Sequence, residues 1–302
     1  MIGDVAGARI VVTGGAGLIG RPTVELLRQK RAKVVVFDRI ASAVSGVESV
    51  VGDLRDDRAV GDVMANADAV VHLGGIPGPN LEDDVTTYEV NAVGTYSVFS
   101  AAARSGVQKV VYASSINVNG LPIGKRRAPT RIPYDETEPV SIADTYSLSK
   151  EANEYAARMA ATAWGLQLTG LRFPLVRDLT AGNGAAFADH VRTALRLDPL
   201  RQAYEGWSYL HAGDAAQAVL CALREETPPA PGILVAASQT YLIEETREAA
   251  AMVIPDVPIG DLCGRDVGLN LERSSSLLKF QAQLLLEDLG LDLLASVQEG
   301  RR

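Results

Sequence analysis

The chain has 302 residues, 47% of them hydrophobic and 22% charged, with a formal charge of -8 at pH 7. That composition can bury a large core and excludes a disordered chain, and the acidic balance argues against a nucleic-acid partner, which wants a basic face. The length suits a core domain with a smaller appended lobe. Cys221 and Cys263 lie in separate segments without metal-ligand spacing, and His72, His190 and His211 lack the clustering of a metal site. No stretch approaches the ~20 apolar residues of a membrane span. The opening Met1-Ile2-Gly3-Asp4-Val5 has no basic segment leading into an apolar one. The expectation is a cytoplasmic protein with no metal, no nucleic acid and no membrane partner.

In chain order, Arg9–Thr13 reads as a buried strand and Leu18–Lys30 as the helix after it. Strands follow at Lys33–Phe37, Ser49–Val51, Ala69–His72, Lys109–Ala113 and Leu166–Arg172, with helices at Asp56–Ala65, Tyr88–Ser105 and Asp144–Trp164 between them. Strands without polar alternation are buried on both faces, which means a parallel sheet covered by helices. The βαβ rhythm predicts a doubly wound α/β fold of Rossmann type. After Phe173 the rhythm degrades. Asp178–Gly184 reads as loop, Ala185–Leu197 as helix, Ser208–His211 as a short extended piece and Asp214–Glu225 as helix. Ile233–Ala237 reads as a further strand, and the tail from Tyr241 is helical and irregular. This divides the chain into a doubly wound body, residues 1–173 with about 206–240, and a mostly helical lobe, about 174–205 and 241–302.

The run Thr13-Gly14-Gly15-Ala16-Gly17-Leu18-Ile19-Gly20 joins the first strand to the first helix, with Gly14, Gly17 and Gly20 in G-x-x-G-x-x-G spacing. Glycines allow a tight turn and close backbone approach to a pyrophosphate, and the helix N-terminus offers free N–H groups and a positive dipole end. Asp38 ends the second strand, where a carboxylate accepts hydrogen bonds from ribose hydroxyls and repels a 2'-phosphate, favouring NAD over NADP. Arg39 beside it could instead take that phosphate. Asp53 is placed either to meet the adenine amino group or to cap the next helix. Tyr146 and Lys150, four residues apart, share one helix face. An ammonium beside a phenol lowers the phenol pKa from about 10. Such a Tyr can exchange a proton with a substrate hydroxyl or carbonyl.

Taken together in their order, these pieces resemble an extended short-chain dehydrogenase/reductase of the NAD-dependent epimerase/dehydratase family. Beyond the glycine turn, Asp38 and Gly52-Asp53-Leu54, the matching runs are His72-Leu73-Gly74-Gly75, Asn91 with Gly94-Thr95, and Ala113-Ser114-Ser115. Tyr146-Ser147-Leu148-Ser149-Lys150 and Leu171-Arg172-Phe173-Pro174 complete the series. The resemblance implies Tyr146 as general acid/base, Lys150 as the group that lowers its pKa and binds the nicotinamide ribose, and Ser115 as the hydroxyl that orients the substrate. It implies cofactor contacts from Gly14, Gly17, Leu18, Ile19, Gly20, Asp38, Arg39, Asp53, Leu54, Leu73, Gly74, Gly75, Asn91, Ser114 and Phe173. Asn91 would support a backbone kink or a water near the site. Asn119 stands where the family usually has Tyr.

The implied activity is hydride transfer between NAD and a secondary alcohol, hemiacetal or ketone of a sugar-like small molecule. A nucleotide-sugar epimerase without net redox change is the alternative, and a catalytically silent NAD sensor a third. Ile116 and Asn117 offer no carboxylate where family dehydratases often carry an acidic pair. Arg172-Phe173-Pro174-Leu175-Val176-Arg177-Asp178 lacks the Asn or Tyr-Gly-Pro of many nucleotide-sugar enzymes, and His72-Leu73-Gly74-Gly75-Ile76 is similar to the run in uronate and related sugar dehydrogenases. The basic run Lys125-Arg126-Arg127-Ala128-Pro129-Thr130-Arg131 is either a solvated loop or a capture site for an anionic substrate, with Arg177 and Arg192 as weaker candidates. Trp207, Tyr209 and His211 either line the substrate pocket or pack the lobe. In relatives the helices matching Tyr88–Ser105 and Asp144–Trp164 pair into a four-helix interface, so a homodimer is expected.

Overall fold

A computed structural model describes residues 3–107, 109–121, 127–230, 232–290 and 293–298. Among them a parallel sheet of seven strands has the order β3-β2-β1-β4-β5-β6-β9. Its strands are β1 (Arg9–Thr13), β2 (Lys33–Asp38), β3 (Glu48–Val51), β4 (Ala69–His72), β5 (Lys109–Ser115), β6 (Gln167–Phe173) and β9 (Gly232–Leu234). β7 (Leu175–Arg177) and β8 (Tyr209–His211) form a separate parallel pair, Arg177 opposite His211.

The Val-rich strands are buried on both faces, so each face needs its own helical cover. Val24 and Leu27 of α1 (Gly20–Gln29) and the apolar stripe of α8 (Ala212–Arg224) close one face over Ile10, Val12 and Val36. On the other, α2 (Asp57–Val63), α4 (Gly94–Arg104) and α5 (Thr145–Trp164) cover Val11, Val35 and Val110. A third core lies apart from the sheet, where α6 (Ala185–Leu197), α7 (Pro199–Tyr204) and α9 (Thr246–Val253) close over Trp207, Tyr209 and Tyr241. Trp207 and Tyr209 are wholly buried there, so they pack the lobe. Tyr209 Oη accepts from the Leu286 N–H at 3.0 Å.

Four features differ from the sequence reading. The helix expected over Tyr88–Ser105 is α3 (Asp84–Tyr88), a π-helical turn (Glu89–Val93), then α4. The turn carries Asn91 inward. β7 and α7 were not anticipated, each being too short to show a period. The strand expected over Ile233–Ala237 pairs only over Gly232–Leu234, opposite Gly170–Arg172, because β6 ends at Phe173. The helical tail resolves into α9, α10 (Glu272–Leu278) and a 3-10 turn at Leu286–Leu289. Among the described residues no helix is long and apolar enough to cross a membrane.

The strand order reverses between β1 and β4, and a buried polar chain ties the two strands to the π-turn. The Gly74 N–H donates to Thr13 Oγ1 at 3.3 Å, and Thr13 Oγ1 lies 2.6 Å from His72 Nδ1. His72 Nε2 lies 2.9 Å from Thr95 Oγ1, which donates to the Asn91 carbonyl. With Thr95 donating to Asn91, the imidazole donates from Nε2 and accepts at Nδ1, which only the neutral ring can do. Burial, and then the charge of Lys150, hold His72 down to about 3. An unfolded His titrates near 6.5, so between roughly pH 6.5 and 3 the unfolded chain binds a proton that the native chain refuses. Native stability therefore falls on acidification, by about 1.4 kcal/mol per pH unit from this group alone. Urea unfolding from pH 7 to 4.5 should show a shallower loss in His72→Gln than in the wild type; equal slopes would remove His72 from the account.

Candidate active site

The cleft opens at the carboxyl ends of the strands around the switch point, the place where open α/β sheets bind ligands. Its volume is about 840 Å³. Gly14 has φ +69°, and a Cβ there would run into the backbone of Leu73 and Gly74. A Cβ on Gly20 would overlap the Gly14 carbonyl oxygen. These glycines let the β1 turn pass against the β4 turn and start α1 directly beneath. No side chain caps α1 at Ile19, and Leu18, Ile19 and Gly20 line the cleft, so the helix start can face an anion.

At the rim of this cradle, Asp38 Oδ2 accepts from the Ala16 N–H at 3.0 Å, locking the glycine turn to the end of β2. Arg39 lines the cleft beside it. Asp53 is not a helix cap: Asp56 caps α2, accepting from the Arg58 and Ala59 N–H groups. Asp53 instead receives the Arg55 guanidinium at 2.7 and 3.0 Å, which holds its carboxyl down to about 2. The glycine cradle, the free helix start and a carboxylate at the β2 terminus fit the pyrophosphate and ribose of a dinucleotide.

The catalytic candidates come from β5 and α5. Asp144 caps α5 by accepting from the Ser147 N–H at 2.8 Å, which puts Tyr146 in the first turn and Lys150 one turn on. Both are buried and line the cleft. Lys150 Nζ donates to the Ala113 carbonyl at 3.1 Å and sits 5.7 Å from the Tyr146 ring centroid. The expectation that Lys150 sets a depressed Tyr146 pKa needs correction. Burial dominates and pushes the phenol up to about 12, opposed by a hydrogen bond with the Ser115 hydroxyl. Burial likewise brings the Lys150 ammonium down to about 8. Desolvation disfavours the charged form of each.

Three residues make hydrogen bonds that the sequence left open. Asn91 does not line the cleft. Its Oδ1 accepts from the Ile76 N–H at 2.7 Å, and its Nδ2 donates to the Ile76 carbonyl and to Ser149 Oγ at 3.1 and 3.2 Å. It braces the β4 turn against α5, and Ser149 in turn donates to the Tyr146 carbonyl at 2.7 Å. Ser114 reaches the cleft wall, but its hydroxyl donates to Glu154 Oε1 at 2.7 Å. Asn119, in place of the usual Tyr, is buried, and its amide donates to the Glu138 carbonyl, fixing the wall beside Ser115. Gly14, Gly17, Leu18, Ile19, Gly20, Asp38, Arg39, Asp53, Leu54, Leu73, Gly74, Gly75, Ser114, Ser115, Tyr146, Lys150 and Phe173 all border this one cleft.

Sequence reasoning missed the buried pair behind it. Arg172 grips Glu154 with two parallel hydrogen bonds of 2.9 and 2.8 Å and reaches the Glu136 carbonyl at 3.1 Å. Glu154 lies one helical turn beyond Lys150, a spacing that could have marked it. It also missed His190, Arg201 and Glu205, which line the cleft with Arg177. These four come from the lobe, where no motif points. Of the basic run, Lys125 and Arg126 lie outside the described residues. Arg127 is exposed, and Arg131 pairs with Asp135 at 3.6 Å. Arg192 donates to the Leu294 carbonyl at 3.4 Å.

Known proteins are similar to this chain in sequence and in fold. The L-arabinose 1-dehydrogenase (NAD(P)(+)) of Haloferax volcanii is 31% identical over 253 residues, 80% of this chain and 94% of that enzyme. A UDP-glucose 4-epimerase of Halalkalibacterium halodurans is 31% identical over 172 residues, 54% of this chain but 49% of that enzyme. Among solved structures, the Thermus thermophilus UDP-glucose 4-epimerase in complex with NAD is 26% identical. It superposes with a TM-score of 0.66 over 97% of this chain and 99% of that one. The model of the NAD dependent epimerase/dehydratase family matches residues 10–237, and the chain belongs to that family.

Proposed function

We propose that this chain is an NAD-dependent oxidoreductase that moves hydride between the nicotinamide and a secondary alcohol, hemiacetal or ketone of a sugar-like small molecule. The observation that carries the reading is convergence: the Ser115 and Tyr146 hydroxyls and the Lys150 ammonium border the cleft that holds the glycine cradle and Asp38. When bound, NAD supplies the hydride acceptor or donor. Tyr146 is the general acid/base, holding or taking one proton at its phenolic oxygen. Ser115 hydrogen-bonds that oxygen and orients the substrate oxygen beside it. Held near pKa 12 by burial, Tyr146 rests as the neutral acid, ready to protonate a carbonyl oxygen during reduction. Oxidation needs the phenolate, toward which the Ser115 hydrogen bond draws the phenol pKa down against burial.

Hydride chemistry agrees with the matched L-arabinose 1-dehydrogenase, whose length the chain nearly spans. A second reading, epimerisation of a nucleotide sugar without net redox change, draws on the UDP-glucose 4-epimerase relatives. We assign residues 1–173 and about 206–240 to the dinucleotide-binding body, since β9 and α8 complete its sheet and cover. Residues of about 174–205 and 241–302 form the substrate lobe, built on its own core. We also propose a homodimer through α4 and α5, whose outer faces expose Tyr96, Tyr155, Met159 and Trp164. The free thiols of Cys221 and Cys263 suit a cytoplasmic setting.

Incubation of the purified protein with NAD and a panel of aldoses should accumulate NADH, followed by its absorbance; isomerised product over retained NAD without NADH would favour the epimerase. Tyr146→Phe should lower kcat by about 10²- to 10⁴-fold, the usual worth of a positioned acid/base, with NAD affinity held. Asp38→Asn should erode the kcat/KM preference for NAD over NADP by about tenfold, one charge-assisted hydrogen bond. In light scattering the wild type should run as a dimer and Tyr155→Glu as a monomer.

A further inference from the structure

The lobe end of the cleft holds a charge arrangement that hydride transfer leaves unused. Arg177 closes β7, His190 lies on α6, and Arg201 and Glu205 lie on and just beyond α7; all four border the cleft with Tyr146. Arg201 Nε donates to Glu205 Oε1 at 3.0 Å, so those two charges cancel. His190 is held below its usual pKa by burial, and then by the charges of Arg177 and Arg201. That leaves Arg177. Its Nη1 donates to the carbonyl of its own neighbour, Val176, at 2.8 Å, and among the described residues no carboxylate pairs with it. The adjacent Asp178 is engaged elsewhere. It accepts from the Thr180 hydroxyl and N–H at 2.7 and 3.0 Å and faces His211 Nε2 at 3.5 Å.

A half-buried guanidinium without a counter-ion is unfavourable unless a ligand brings the negative charge. Arg172, more deeply buried, shows the contrast, because Glu154 answers it inside the fold. A guanidinium fork matches a carboxylate in two parallel hydrogen bonds. The single uncompensated charge suits a monoanion. The size of the cleft points the same way. About 840 Å³ is the volume one drug-sized ligand fills, so sharing it with a dinucleotide leaves room for a small partner.

We infer that the substrate is a small polyhydroxy acid, its carboxylate held by Arg177 at the β7 end and its reacting hydroxyl turned toward Tyr146 and Ser115. The inference rests on the oxidoreductase reading of the same cleft and narrows its substrate class. Specificity for the acid resides in Arg177.

The test measures calorimetric binding to NAD-saturated protein for D-gluconate, D-glucuronate and D-galacturonate against D-glucose and D-galactose. At least one acid should bind about tenfold or more tightly than the neutral sugars. Arg177→Gln should weaken that acid by about 10- to 100-fold while neutral-sugar and NAD affinities stay put, and Arg177→Lys, which keeps the charge but loses the fork, should fall between. Acids that bind no better than the neutral sugars overturn the inference. So does an Arg177→Gln protein whose acid affinity is unchanged, or falls together with its affinity for NAD. The two readings separate in the same assay: acid binding through Arg177 without NADH formation by the wild type would leave the anion site standing and sink the oxidoreductase. NADH formation from neutral sugars alone would do the reverse.

Discussion

The rest of this molecule depends on the crossing of the β1 and β4 turns at the switch point of the sheet. There Gly14 lies so close to the Leu73–Gly74 backbone that no Cβ fits between them. The strand order reverses at this place, so the two loops diverge and a crevice opens above it. The functional geometry is referred to that contact. Asp38 is tied to the glycine turn through Ala16, and His72 is tied through Thr13 and Thr95 to the π-turn. Asn91 then passes the position of the β4 turn to α5, the helix that carries Tyr146 and Lys150. The glycine turn and the Tyr146–Lys150 pair are thereby held in one frame by buried hydrogen bonds, which are worth most where water is excluded.

Burial governs the chemistry as much as position does. Tyr146 and Lys150 sit deep enough that each is pushed toward its neutral form, the phenol up to about 12 and the ammonium down to about 8. A simple charge–phenolate picture misses this opposition. The pair joins a phenol reluctant to ionise and a cation brought within reach of neutral pH. Behind it, Glu154 and Arg172 form an ion pair that is compensated in full, with Ser114 and the Glu136 carbonyl taking remaining hydrogen-bonding positions. Removing either partner would strand a buried charge, which is why such pairs define local structure more firmly than they stabilise it.

Legibility followed the length and regularity of the signals. Strands of Val and Ile, the glycine spacing, Asp38 and the Tyr146–Lys150 interval were readable because each is local and repeats a period or a fixed offset. The π-turn had no periodic signal of its own and showed only in the kink that the resemblance gave Asn91, whose bonds to Ile76 tie it to the β4 turn. β7 spans three residues, too few to show alternation, yet it carries Arg177 to the cleft. Asp53 was open between two roles in the sequence, and the neighbour Asp56 took the capping one.

What the sequence by itself determined is the doubly wound sheet, the family, and the glycine turn, Asp38 and Tyr146–Lys150 pair that border one cleft. Their physical rules, periodicity, glycine sterics and one helical turn between Tyr and Lys, act over short stretches of chain. The tertiary structure alone decided the protonation tendencies of Tyr146, Lys150 and His72, because desolvation depends on what surrounds a group. It alone decided which charges remain unanswered. Arg172 and Arg177 are five residues apart and alike in sequence, but the fold gives one a buried carboxylate and leaves the other facing the cleft.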